Sequence, residues 1–178
     1  MILIGQDFVA CSRQKRAMNE RQLAEAIVDL LGKVDVQVAS RESGAPEIAW
    51  GDVFLFYAPD GEEPDRRFPF ATIVTKDYPG FDEASALDRP GVFRLNIGLG
   101  KETYRSLFGA QPGQPLVGAA VHTGHDYAAL DRLIPHPVYA PQSWVSVLNP
   151  SAATFASIRP LLIEAHALAG RRHARRTG

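Results

Sequence analysis

Between Gly91 and Leu99 the chain reads GVFRLNIGL, and no other stretch restricts its possible folds so sharply. Phe93, Leu95, Ile97 and Leu99 alternate with Val92, Arg94, Asn96 and Gly98. A period of two belongs to a half-buried strand, in which successive side chains stand on opposite sides of a sheet. One of the two faces is wholly apolar. The other carries a guanidinium and a carboxamide that must be paired or left in water. A slip of one residue would turn all the apolar positions outward, so Arg94 is tied to the face opposite Phe93 and Leu95. Residues 70–76, apolar and rich in β-branched side chains, supply a neighbouring strand.

The rest of the chain supplies partners for that sheet. Leu23, Ile27, Leu30 and Leu31 make an apolar stripe over residues 20–31, with Asn19 and Gln22 spaced as a capping box and Gly32 as the stop. Val34, Val36 and Val38 alternate as a strand, and residues 48–58 read as another, bent at Gly51 and Asp52. Residues 59–67 are a polar loop, and residues 77–91 a long connection with two prolines and two glycines. Tyr104, Leu107 and Phe108 fall at helical spacing after the GVFRLNIGL strand. Residues 128–134 read as a helix ending before Pro135, and 143–148 as the last strand. Ser151 caps a final helix whose buried face is Phe155, Ile158, Leu162, Ala165 and Ala169, with Pro160 expected to kink it or mark a second start.

This order is not the βαβ alternation of a parallel sheet. It predicts an α+β fold, an antiparallel sheet with the N- and C-terminal helices packed on one face. A chain of 178 residues is sized for one domain, placed here at residues 18–176. Residues 1–17 fit poorly with the helix that starts beyond them and are read as an N-terminal extension, with Met18 as the true start; the alternative is an additional edge strand.

Composition excludes several classes. A net charge of −1 gives no global attraction to nucleic acid or to an anionic membrane. Cys11 is alone, so the chain can build neither an internal disulfide nor a thiolate zinc site. No stretch reaches the roughly 18 apolar residues of a membrane span. The opening apolar run precedes its basic residues, the wrong order for a secretory signal, and a cytoplasmic protein is expected.

The chemical candidates are few. IGLGKET, residues 97–103, resembles a phosphate loop only in outline, because Glu102 replaces the hydroxyl residue that should come after the lysine. A glycine-led helix start is the better reading. His122 and His125, with His136 as a third imidazole, have spacing that could chelate a metal, but a loop gives them no rigid frame, so no metal and no cofactor are assigned. His136 lies between Pro135 and Pro137, which stiffen the backbone around a candidate acid–base imidazole; a packed turn is the plainer reading. Arg94 and Asn96, with Tyr57 and Trp144, could line a concave site for an anionic or amide-bearing ligand. Arg94 could equally form a structural bridge to Asp52 or Asp88, the preferred reading. Arg171, Arg172, Arg175 and Arg176 end the chain, where cations suit the C-terminal pole of a helix.

PFATIVTKDYPG, DRPGVFRLNIGLGKETYRSLFG and the stretch from DYAALDRLIPHPVY to IEAHALA together resemble a bacterial family catalogued as a domain of unknown function. That resemblance spans residues 18–176 and implies no site residues. More distantly, Trp144, Ser146, Val147 and Ser151 are similar to the closing pattern of the MmcQ/YjbR-like proteins. This implies a double-wing α+β fold and, for some members, DNA binding. The leading expectation is a module that binds a small molecule or peptide on the polar sheet face. A nucleic-acid-binding role for the arginine tail and an enzyme using His136 are the alternatives.

Overall fold

The structure is a computed structural model that describes residues 18–60, 64, 68–116 and 118–178. The extension proposed for residues 1–17, with Cys11, lies outside them. Helix α1, Glu20–Leu31, begins at a capping box: the Asn19 side chain accepts from Gln22 N at 2.8 Å and Gln22 Oε1 accepts from Asn19 N at 3.1 Å. It ends at Gly32, whose φ of 57° is open to glycine, with the Gly32 N–H on Val28 O.

Among the described residues six strands come next: β1 Val34–Val38, β2 Val53–Tyr57, β3 Ala71–Val74, β4 Arg94–Gly98, β5 Leu133–Pro135 and β6 Trp144–Leu148. They form one sheet in the order β1-β2-β3-β4-β6-β5, with every pairing antiparallel. Helix α2, Lys101–Phe108, follows β4, and helix α3, Ala152–Thr177, closes the chain. The class is α+β, as expected.

The register makes the core. Val53 stands opposite Ile73 and Ile73 opposite Leu95, while Leu55 pairs with Ala71 and Ala71 with Ile97. Val147 and Val145 continue these rows on β6. This face packs on Leu23 and Ile27 of α1 and on Ile158, Leu162 and Ala165 of α3, all buried. Each large side chain sealed there is worth about 1.5–3 kcal/mol of transfer free energy. Phe93, Leu95 and Ile97 face the helices as the alternation requires.

Two local expectations fail. Residues 128–134 form a turn and then β5, not a helix. Asp131 adopts a φ of 57°, and its N–H donates to Leu148 O at 2.7 Å, so pairing with β6 overrides a short helical spacing. Pro135 is tolerated because β5 is an edge strand. Residues 47–49 form a 3-10 turn ahead of β2, fastened by the Trp50 Nε1–H on Ala45 O at 2.9 Å. Pro160 does not mark a second start: α3 runs through it as one helix capped by Ser151.

The start of α2 confirms a glycine-led helix and shows why it cannot cradle phosphate. Glu164 of α3 accepts from Gly100 N at 2.9 Å and from Thr103 Oγ1 at 2.7 Å, placing a carboxylate where the anion would go. Among the described residues no helix is long and apolar enough to cross a membrane.

Candidate functional site

The second face of the sheet is built from the other half of the alternation. Cross-strand pairing aligns Thr72 on β3, Asn96 on β4 and Ser146 on β6 in one polar row. Asn96 Nδ2 donates to Thr72 Oγ1 at 3.0 Å, and Ser146 Oγ donates to Asn96 Oδ1 at 2.9 Å. One step along, Arg94 reaches back with its Nε–H to Asn96 Oδ1 at 2.9 Å. The carboxamide thus binds three strands and orients the guanidinium.

Among the described residues no α-helix covers this face. The connection between β3 and β4 folds over it, and Arg94 is 1% exposed and Asn96 2% exposed. Asp82, carried by that connection, takes the guanidinium from two sides, Nη1 to Oδ1 at 3.1 Å and Nη2 to Oδ2 at 2.5 Å, while Ser85 Oγ accepts from Nη1 at 2.8 Å. Arg94 is therefore in an ion pair, but with Asp82 and not with Asp52 or Asp88. Asp52 is engaged elsewhere, accepting from Thr75 N, Thr75 Oγ1 and the Tyr78 hydroxyl, the last at 2.5 Å. Asp88 accepts from Asp77 N, and Asp77 in turn from Leu87 N, so both shape the covering loop. Burial raises the Asp52 carboxyl above its ordinary range, partly offset by the Tyr78 and Thr75 hydrogen bonds. Burial, with Asp52 beside it, drives the Tyr78 phenol far above its usual value.

His136 follows β5 and enters the same cluster. Its Nδ1 accepts from Val138 N and Tyr139 N, both at 3.0 Å, and the imidazole is 2% exposed. Nε2 lies 3.4 Å from Arg94 Nη2. Burial first, and then the charge on Arg94, hold His136 well below the ordinary histidine value. The ring is neutral at physiological pH.

Above this floor is a cavity of about 610 Å³. Thr72, Asp82, Arg94, Asn96 and His136 line its polar side, and Phe54, Phe68, Phe81, Tyr139 and Trp144 supply aromatic walls. The Trp144 indole sits against Gly98 on β4, where a Cβ would come within 3.1 Å of it. Glycine at this position is what lets the ring seat against the strand. Tyr139 stacks at a tilt on His136, with ring centroids 4.9 Å apart.

Of the residues singled out in the sequence, Arg94, Asn96, Trp144 and His136 therefore meet at one cavity. Tyr57 does not. It pairs with Val34 and shares the helix side of β2 with Leu55, its ring 5.1 Å from that of His166 on α3. Phe54, one side of the pleat away, takes the place assigned to Tyr57. Period-two alternation from Leu55 could have found it. Asp82 and Ser85 had no local signal, because a loop carries no periodicity.

His122 is exposed, and His125 bonds to Thr123 and packs edge-on against Phe108 at 5.5 Å, so neither meets His136. Among the described residues no group of three His, Cys, Asp or Glu side chains is placed to hold a metal ion. Arg171, Arg172, Arg175 and Arg176 are exposed in the last turns of α3, the helix packed on the opposite side of the sheet.

A family model described as a family of unknown function matches residues 18–178. No curated protein and no solved structure matches the chain.

Proposed function

The chain belongs to that family, DUF6194, and from its geometry we propose that it is a small-molecule-binding module whose site is the cavity above Arg94 and Asn96. The observation that carries the reading is the combination of aromatic walls with a small, fixed polar floor. Sites for small ligands have this composition, apolar surface for affinity and a few oriented polar groups for selectivity. The floor is preorganised: hydrogen bonds lock Arg94, Asn96 and His136 before any ligand arrives, which lowers the entropic cost of binding. The unit that does this is the single α+β domain of residues 18–176. Tyr57 takes no part, and Phe54 replaces it in the binding set with Arg94, Asn96 and Trp144.

The test uses Val74, which lines the cavity and is not part of its hydrogen-bonded floor. Val74→Phe fills the cavity from its wall. A library of uncharged aromatic fragments, screened by ligand-observed NMR against both proteins, should give compounds that bind the native chain and not the variant. A folded Val74→Phe protein that retains every hit would sink the proposal.

A further inference from the structure

Resting on that reading, we infer that the cavity floor contains a two-donor seat for a single uncharged carbonyl oxygen, formed by Arg94 Nη2–H and His136 Nε2–H. Arginine has five N–H groups. Nε–H goes to Asn96 Oδ1, the two on Nη1 go to Asp82 Oδ1 and Ser85 Oγ, and one on Nη2 goes to Asp82 Oδ2. Among the described residues the fifth has only His136 Nε2 beside it, at 3.4 Å.

That nitrogen cannot accept it. His136 Nδ1 already accepts two backbone N–H groups, from Val138 and Tyr139, so it carries no proton. A neutral imidazole has one N–H, which must then be on Nε2. An imidazolium would place a proton on Nδ1 as well and abolish both backbone bonds. Every buried side-chain polar atom among the described residues has a neighbour within hydrogen-bonding reach, but in this one contact both neighbours are donors.

Two donors side by side on the wall of a cavity are satisfied together by one atom with two lone pairs. An sp² oxygen is such an atom. The charge balance decides which kind. Asp82 cancels Arg94, and the ring is neutral, so the seat offers directed N–H groups without net positive charge. A carboxylate would lose its hydration among aromatic walls and stand beside Asp82 without a compensating cation. A ketone, aldehyde or amide oxygen accepts both hydrogen bonds without that cost. The ligand class is therefore a flat, largely apolar molecule bearing an uncharged carbonyl group.

Acetophenone, ethylbenzene and benzoate share a ring and differ in the group that would meet the seat. Titrated into the full chain and followed by ligand-observed NMR, acetophenone should bind about tenfold more tightly than ethylbenzene, with benzoate weaker than acetophenone. His136→Asn keeps an acceptor for the Val138 and Tyr139 N–H groups and removes the Nε2 donor. It should reduce the preference for acetophenone over ethylbenzene, both measured on the same variant, from about tenfold to about one. Equal binding of acetophenone and ethylbenzene by the native chain would overturn the seat while leaving the cavity as a ligand site. Preferential binding of benzoate would overturn the charge argument. If none of the three binds, the cavity reading fails together with the seat. Long-range ¹H–¹⁵N spectra of the native protein provide a check that needs no variant: a protonated Nδ1 on His136 would refute the assignment directly.

Discussion

Leu95 and Ile97 are fully buried on one side of β4, and Arg94 and Asn96 are as well buried on the other. The two faces reach equal burial by different physics. On the first, rigid helices present leucine and isoleucine, and the contact is stabilised by area alone without regard to direction. On the second, the cover is a loop, and each polar atom taken from water needs a partner at the right angle. On the first face helices lie directly on the strands and seal Leu95 and Ile97 between them, whereas on the second a loop arches over a hydrogen-bonded floor and leaves the cavity of about 610 Å³ beneath it.

Substitutions at adjacent positions of β4 should separate these two modes. Arg94→Ala leaves Asp82 buried without a counter-charge, and a loss of about 3–5 kcal/mol in chemical denaturation is expected. Joint replacement, Arg94→Met with Asp82→Leu, should recover most of that loss, since two apolar groups need no partners. If the single variant melts like the native protein, the guanidinium is solvated and the comparison collapses. Leu95→Ala, one residue along, should cost about 2–5 kcal/mol through a cavity among the helices. It should leave the ligand response intact, and no partner replacement of the Asp82 kind should rescue it.

Acidity should act on the loop-covered face. Because the folded protein holds the His136 pKa below its unfolded value near 6.5, its contribution to stability is present above that value. It is lost as pH falls through the unfolded value toward the folded one. Asp52 runs in the opposite sense: its raised carboxyl value favours the folded state at low pH, and that contribution disappears as pH rises through the folded value. Denaturation curves for His136→Asn and Asp52→Asn across the acid range should flatten these two dependences separately. An unaltered pH profile in both variants would show that the groups titrate as they do in the unfolded chain.

The smallest effect is expected at Tyr57. Its ring lies on α3, across the sheet from the cavity, so Tyr57→Phe should change stability by no more than about 0.5 kcal/mol and ligand affinity not at all. Weakened acetophenone binding in this variant would mean that the two faces communicate.

Legibility is greatest in β4 itself. Its alternation named the buried side, put Arg94 opposite Leu95 and required a second face with polar content. The capping box at Asn19 and Gln22 and the cap at Ser151 were equally readable. These features depend on residues one to four positions apart, where backbone geometry alone decides which side chains meet. Residues 128–134 show the limit of the same rule. Their apolar spacing suits a helix, yet Ile134 pairs with Ser146, and hydrogen bonds to a distant strand outweigh a weak local preference.

The amino-acid order by itself determined the class of fold, the face on which Arg94 stands and its need for a partner. Only the tertiary structure decided that the partner is Asp82, that His136 comes beside it, and that Tyr57 stands on the other side of the sheet. The physical reason is range. Periodicity and caps are set by local dihedral geometry, whereas the partner of a buried charge depends on how a long connection folds back. Asp52, Asp82 and Asp88 were all within reach of Arg94 along the chain, and only the path of the loop between β3 and β4 chose among them.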